Sequence, residues 1–110
     1  MNVTDPHAPF TRVAGVLAAA DVRYANLECC FYQPAGARSL SDEGFYASPA
    51  LAQALRVAGF DVVGTANNVN YGTEAIMSSL SALDALGVAH TGSGATSVAA
   101  HATAPVCAKE

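Results

Sequence analysis

The chain has 110 residues, of which 52% are hydrophobic and 13% are charged, so it suits one small packed domain and not a disordered segment. Its formal net charge is −4 and its five basic residues are scattered, which argues against a nucleic-acid-binding surface. The sequence has no apolar run near the ~20 residues that span a bilayer, and we expect no signal peptide in its first residues.

The first part of the chain predicts a helix, a strand and a long connection. Apolar residues at helical spacing predict a helix over residues 10–20, and the following segment predicts a strand over residues 22–27. Residues 29–47 exceed the usual loop length and contain Pro34 and Gly36. We interpret this connection as a functional or mobile segment.

A second helix and strand follow this connection. Ser48 is predicted to cap the helix, with Pro49 at its first position, because both residue types favour a helix start. Gly59 is predicted to end the helix, since glycine readily adopts the left-handed backbone found there. The valine-rich run over residues 60–66 predicts the second strand.

The last third of the chain repeats the alternation. Thr73 is predicted to cap a third helix, which Gly87 ends, and Glu74 lies in its first turn, where the helix dipole favours an anion. A third strand is predicted over residues 88–91, and a short helix over residues 97–102.

Strands that alternate with helices predict an α/β fold with a parallel sheet. Three strands make a small share of such a domain, because a parallel sheet is normally covered on both faces. A further strand is expected near Pro105, where the sequence soon stops. We therefore expect residues 1–110 to be a partial domain cut at both ends, with unpaired sheet edges that favour self-association.

Polar residues follow the predicted strands at their carboxyl ends, where open parallel sheets bind ligands. The first strand leads to Asn26 and Glu28, the second to Asn67 and Asn68, and the third to His90. Carboxylate and carboxamide oxygens suit Mg²⁺ or Mn²⁺. Each residue also has a simpler interpretation: a solvated charge at a strand end, a turn asparagine or a packed histidine.

A glycine-containing turn and the cysteines give weaker signals. Gly92 and Gly94 flank Ser93 and could form a phosphate-binding turn of a small nucleotide-binding protein, but no GxGxxG follows the first strand. The three cysteines, including the adjacent Cys29 and Cys30, form no CxxC pair. A structural zinc site is therefore not expected, and buried or half-buried thiols are the simpler interpretation.

Three segments stand out in the order ADVRYANLE (residues 20–28), AGFDVVGTANN (residues 58–68) and YGTEAIMSSLSALDALGVAHTGSG (residues 71–94). Together they resemble the CapA-type family of poly-gamma-glutamate capsule biosynthesis proteins. The resemblance implies a partial metallophosphoesterase-like αββα sandwich. It also implies a parent protein that is often membrane-associated or extracytoplasmic.

The resemblance also implies roles for the polar residues at the strand ends. Glu28 stands at the position of a metal-bridging carboxylate, and Asn68 at that of a metal-binding asparagine. Asn26, Asn67 and His90 would support the metal ligands or position the substrate. The metal of the parent domain would be Mn, Mg, Fe or Zn, and its ligand a phosphate ester or polyglutamate.

The sequence departs from the family pattern at several points. Val69 replaces the family's histidine, and valine cannot transfer a proton. Residues 69–72 are shorter than the family's HxxDYG and lack its aspartate, and the family's early Gly-Asp and later histidine-rich motifs are absent. We therefore expect no catalytic residue and no efficient catalysis. The alternative is a non-catalytic binding or scaffold module, although the negative charge argues mildly against direct polyanion binding.

Overall fold

A computed structural model describes residues 5–33, 45–68 and 72–106 of the chain. Its strands are β1 (Tyr24–Asn26), β2 (Cys30–Phe31), β3 (Tyr46–Ala47), β4 (Val62–Gly64) and β5 (Ala89–Thr91). Its α-helices are α1 (Ala14–Ala18), α2 (Gln53–Ala58), α3 (Thr73–Leu86) and α4 (Ser97–Ala100), and 3-10 turns cover Ala8–Phe10 and Pro49–Ala52. The alternation of helices and parallel strands confirms the predicted α/β class.

The main sheet has three parallel strands in the order β1-β4-β5. Asn26 of β1 lies opposite Gly64 of β4, and Gly64 lies opposite Thr91 of β5. Every residue of the central strand β4 is buried, which fits its valine-rich sequence. Because the strands are parallel, their carboxyl ends meet at one edge of the sheet.

A second, two-stranded parallel sheet pairs β2 with β3. The main-chain N–H of Cys30 donates to Phe45 O at 2.8 Å, and that of Tyr32 donates to Ala47 O at 3.0 Å. The prediction of an unbroken connection over residues 29–47 was therefore wrong at its two ends, because two-residue strands are too short to show a periodicity. Residues 34–44, the middle of that connection, lie outside the described residues.

The hydrophobic core is formed between the main sheet and the helices. Its buried cluster consists of Phe31, Ala52, Leu55, Phe60, Val63, Leu83 and Val88. Phe10 of the first 3-10 turn meets Phe60 edge to face, with ring centroids 5.2 Å apart. This packing joins the start of the described chain to the entry of β4.

The helix ends follow the sequence signals better than the helix starts. Gly59 and Gly87 end α2 and α3 with φ angles of 80° and 69°, as predicted. Ser48 takes the predicted cap position, with Pro49 as the first residue after it, but its side chain makes no capping hydrogen bond. The predicted cap at Thr73 was wrong, because Thr73 is the first helical residue after Gly72. Gly72, with φ 89°, takes the cap position, which leaves no side-chain oxygen there.

The first predicted helix is shorter than expected. Instead of one helix over residues 10–20, the chain forms the Ala8–Phe10 turn and then the five-residue helix α1. Val13, which precedes α1, has φ −112° and ψ 2°, outside the helical region, so the two pieces do not merge. Across the described ranges, no helix is both long and apolar enough to cross a membrane.

Candidate functional site at the carboxyl ends of the strands

The carboxyl ends of β1 and β4 lie side by side because of their parallel register. The N–H of Leu27 donates to Gly64 O at 2.9 Å, which extends the pairing one residue beyond β1. Glu28 follows directly, while Asn67 and Asn68 follow β4 within four residues. The fold therefore delivers three of the predicted site residues to one edge of the sheet.

Three of the five predicted site residues form a hydrogen-bonded group, which we call the rim cluster (Asn26, Glu28 and Asn67). The Asn67 side-chain amide donates to Leu27 O at 2.7 Å and to Asn26 Oδ1 at 3.3 Å. The Asn26 amide in turn donates to Glu28 Oε2 at 3.2 Å. Each donor thus orients the next side chain, and the series ends on a solvent-exposed carboxylate.

The two remaining predicted site residues lie apart from these hydrogen bonds. Asn68 is exposed and directly follows the rim cluster residue Asn67. His90 lies in β5, where its Nε2 is 2.8 Å from Asp84 Oδ1 in the last turn of α3. Their proposed metal-binding and positioning roles stay predictions, and Val69 lies outside the described residues.

The rim cluster does not by itself fit a metal centre. It contains one carboxylate, and Oε2 of Glu28 and Oδ1 of Asn26 already accept side-chain amide hydrogen bonds. Within residues 5–33, 45–68 and 72–106, no three histidine, cysteine, aspartate or glutamate side chains are grouped to hold a metal ion. A bridged metal pair needs several such ligands and their supporting hydrogen bonds.

The glycine-containing turn after β5 is explained by close packing. A Cβ on Gly92, whose φ is 102°, would lie 2.7 Å from the main-chain nitrogen of Ala66. A Cβ on Gly94 would lie 2.6 Å from Cβ of Ala99 in α4. Both glycines are therefore needed where chain segments approach each other, and this weakens the nucleotide-binding alternative.

A small pocket lies beside the rim cluster, and we call it the thiol pocket. Its wall includes Leu27, the thiol residues Cys29 and Cys30, and the hydroxyl residues Thr65, Ser79 and Ser93. Burial, together with the neighbouring Cys30, raises the pKa of Cys29 from 9.0 to about 11. The contribution of this thiol to the free energy of unfolding is therefore fully present below pH 9. It is lost as the pH rises through about 11.

A serine pair on α3, Ser78 and Ser79, holds the strand that follows Glu28. The N–H of Phe31 donates to Ser79 Oγ at 2.8 Å, and the Ser78 hydroxyl donates to Phe31 O at 2.6 Å. The N–H groups of Cys30 and Tyr32 bond to the β3 side. The serine pair thus occupies the side of β2 opposite to β3, and nothing in the helical sequence pattern indicates this role.

A second contact to α3 involves its first turn. The Tyr32 hydroxyl donates to Glu74 Oε2 at 2.9 Å, and this hydrogen bond, with a smaller effect of burial, raises the pKa of Tyr32. The Tyr32 ring also meets Tyr46 edge to face, with centroids 5.8 Å apart. Glu74, predicted as a residue that complements the helix dipole, therefore also links α3 to the small sheet.

Comparison with known proteins gives one match that covers almost the whole chain. The family model described as "Bacterial capsule synthesis protein PGA_cap" matches residues 1–109. This range contains all three segments that resemble the CapA-type family and the whole rim cluster. No curated protein matches the chain significantly.

Proposed function

Because the chain belongs to the bacterial capsule synthesis protein family, we propose that one edge of its main sheet binds poly-gamma-glutamate as part of a CapA-type domain. In the same proposal, the chain alone does not catalyse a reaction. In this proposal residues 1–110 are a partial domain of a larger capsule synthesis protein. The ligand contacts are made at the carboxyl ends of β1 and β4.

The observation that carries this proposal is the rim cluster itself. It combines amide donors, amide acceptors and one carboxylate, with Asn26 and Glu28 exposed and Asn67 half-buried. Hydrogen bonds of 2.7 to 3.3 Å fix the relative positions of these groups. A gamma-linked polymer presents an amide in every linkage, and such amides can exchange hydrogen bonds with Asn26 and Asn67. Contact with the linkage, and not with the free carboxylates of the polymer, is favoured because Glu28 and the net charge of −4 repel anions.

The absence of turnover follows from the chemistry of the available side chains. Hydrolysis of a phosphate ester or an amide needs an activated nucleophile and a group that protonates the leaving atom. Val69 replaces the histidine that the CapA-type resemblance places after the two asparagines, and valine transfers no proton. Glu28 alone does not replace a metal centre.

Binding at the rim cluster can be tested by NMR, with poly-gamma-glutamate added to the ¹⁵N-labelled chain. We expect the side-chain amide signals of Asn26 and Asn67 to shift with increasing polymer. Glu28→Gln should alter this response, because it replaces the acceptor that orients the Asn26 amide. Asp84→Asn is the matched control, since Asp84 is an exposed carboxylate that pairs with His90 in the last turn of α3. Polymer shifts absent from both asparagine signals would contradict the binding proposal.

Catalysis is tested separately with an aryl phosphate ester and Mn²⁺, alongside calorimetric titration of Mn²⁺ into the chain. We expect no metal-dependent turnover above background. This part of the proposal would be overturned if the wild-type chain turns over the ester, Glu28→Gln abolishes that turnover and Asp84→Asn preserves it. Micromolar Mn²⁺ binding that is lost in Glu28→Gln would instead assign Glu28 as a metal ligand of the family site.

The alternative function is a scaffold module that binds another protein of the capsule machinery. The observation that favours it is the outer strand β1 of the main sheet, where Tyr24 is 61% exposed and the preceding Val22 is 44% exposed. Outer strands of this kind can pair with another chain. This alternative would be favoured by two NMR results found together. The polymer would leave the rim cluster signals unchanged, and the β1 signals would broaden with increasing protein concentration.

A further inference from the structure

The rim cluster continues along β1 as a row of exposed side chains on one face of the main sheet. Tyr24 and Asn26 of β1 are exposed, as is Glu28 just beyond the strand, whereas Ala25 and Leu27 between them are half-buried. The hydrogen bond from the Asn26 amide to Glu28 shows that alternate side chains share this face. We call these exposed side chains the β1 row (Tyr24, Asn26 and Glu28).

The β1 row lies on the face of the main sheet that is turned away from α3. On the opposite face Val63 is buried in the core, and His90 bonds to Asp84 of α3. The parallel register places six strand residues on the face of the β1 row: Tyr24, Asn26, Val62, Gly64, Ala89 and Thr91. All six are uncharged, so this face repels an anionic polymer less than the net charge of −4 suggests.

The Tyr24 side chain reaches across this face to the central strand β4. A Cβ on Gly64 would overlap the Tyr24 hydroxyl oxygen, so the hydroxyl lies where the glycine leaves room. Gly64 is opposite Asn26 in the register, and the hydroxyl therefore lies in the same row of the sheet as the Asn26 side chain. Tyr24 is nevertheless 61% exposed, and its hydroxyl makes no hydrogen bond within the described part of the chain. Its donor is available to a ligand.

The spacing along the β1 row fits the repeat of the polymer proposed to bind at the rim cluster. Side chains two positions apart on a strand are separated by about 6.6 Å. One repeat of a γ-linked glutamate chain is roughly 6 Å long when extended, as ordinary bond lengths require. Consecutive amide linkages of an extended polymer can therefore meet consecutive side chains of the β1 row.

We propose that Tyr24 is a further ligand-binding residue, which contacts the amide linkage next to the one bound at the rim cluster. This inference rests on the proposed function, because it takes poly-gamma-glutamate as the ligand of the rim cluster. The Tyr24 hydroxyl donates a hydrogen bond to the carbonyl oxygen of the adjacent linkage, and the exposed ring packs against methylene groups of the repeat. The sheet face then favours ligands that contain two consecutive linkages.

Short γ-linked glutamate oligomers test this inference, because the dimer has one linkage and the trimer has two. The affinity of each for the ¹⁵N-labelled chain is measured from the shifts of the Asn26 and Asn67 amide signals. We expect the trimer to bind about threefold to tenfold more tightly than the dimer, as one added hydrogen bond would give. Tyr24→Ala should remove this gain and leave the affinity for the dimer unchanged. Phe45→Ala is the matched control, since Phe45 is an aromatic residue of similar exposure, 57%, just before β3.

Gly64→Ala tests the position of the hydroxyl. The added Cβ displaces the flexible end of Tyr24, so the trimer should lose its gain in affinity although the ring is still present. Tyr24→Phe removes the hydroxyl alone and should also reduce the gain. In the Tyr24→Phe background, Gly64→Ala should have no further effect on the gain. Circular dichroism shows whether each variant is folded, and Tyr24→Phe decides if Tyr24→Ala does not fold.

The outcomes separate this inference from the proposed function. If the dimer shifts the rim cluster signals but the trimer binds no more tightly, Tyr24 is not a ligand-binding residue and the rim cluster proposal stands. A gain that persists in Tyr24→Ala would have the same meaning. If neither oligomer shifts the rim cluster signals, both proposals fail. Broadening of the β1 signals with protein concentration that Tyr24→Ala removes, without a trimer gain, would assign Tyr24 to a contact between two copies of the chain.

Discussion

The two ends of strand β1 carry two polar groups of different character. At its carboxyl end Asn26 and Glu28 of the rim cluster are exposed and bond to each other, while the half-buried Asn67 bonds to Asn26 and to Leu27 O. At its amino end Arg23 is 8% exposed, and its guanidinium donates to the main-chain oxygens of Leu17, Ala18 and Gly59. We call this second group the Arg23 anchor. The polar residues bonded to the main chain hold the fold together, while those bonded to other exposed side chains remain accessible to a ligand.

The Arg23 anchor has a clear electrostatic basis. Leu17 and Ala18 form the end of α1, and Gly59 caps the end of α2, so their oxygens carry the partial negative charge of helix C-termini. One guanidinium therefore satisfies the ends of two helices. The main chain of Arg23 is fixed as well, because its N–H donates to Asp61 Oδ2 at 2.8 Å.

The largest expected effect is at this anchor. Arg23→Met keeps most of the side-chain volume but removes all donors to the two helix ends, and we expect it to destabilise the fold by about 3 to 5 kcal/mol. Arg56→Met is the control, since Arg56 is exposed on α2. Urea denaturation measures both variants. Equal stabilities would show that the Arg23 anchor is not structural.

A smaller effect is expected at Gly92, beside the rim. Gly92→Ala places a Cβ against the Ala66 main chain at a φ of 102°, so we expect a loss of about 2 to 4 kcal/mol. Gly15→Ala is the opposite control: a Cβ there meets nothing within 4 Å in helix α1, and alanine should stabilise it by about 0.5 to 1 kcal/mol. Thermal unfolding distinguishes the two signs. A stabilising Gly92→Ala would show that the turn does not need its glycine.

The serine pair should contribute less than Gly92. Ser79→Ala leaves the buried N–H of Phe31 without its acceptor, and we expect a loss of about 1 to 3 kcal/mol. Ser81→Ala on the same helix is exposed and should change stability by less than about 0.5 kcal/mol. Hydrogen exchange adds a local measurement, because the Phe31 amide should exchange faster in Ser79→Ala. Unchanged exchange of that amide would contradict the hydrogen bond.

The smallest effect is expected within the rim cluster. Asn67→Ala removes the 2.7 Å hydrogen bond to Leu27 O, and we expect a loss of about 1 kcal/mol. The exposed neighbour Asn68 gives the matched control, since Asn68→Ala should stay within about 0.5 kcal/mol of the wild type. If Asn67→Ala lowered the free energy of unfolding as much as Arg23→Met, the distinction between the two groups would disappear. The rim cluster would then be structural as well.

The local signals of the sequence predicted the framework of the fold. Gly59 and Gly87 end their helices as expected, because a left-handed residue after a helix is a local property of glycine. The valine-rich run over residues 60–66 predicted β4, although the strand itself covers only Val62–Gly64. The starts of the helices were less predictable, since Ser48 and Thr73 have the right residue type but do not make capping hydrogen bonds.

The distant contacts could not be predicted in the same way. Phe31 and Ser79 are 48 residues apart, and Arg23 and Gly59 are 36 residues apart, so no local pattern connects them. The sequence pointed to Asn26, Glu28 and Asn67 through their positions after strands, and the structure brings these three together. It pairs His90 with Asp84 instead.

The sequence by itself determined the alternation of helices and strands, the glycine-marked helix ends and the polar residues that follow β1 and β4. Only the tertiary structure decided which polar residues are buried within the fold and which remain exposed at its edge. The physical reason is that burial and hydrogen-bond partners depend on segments that meet in space. Arg23 and Glu28 lie five positions apart in the same short segment, yet the helix ends around one and the open sheet edge beside the other give them different roles.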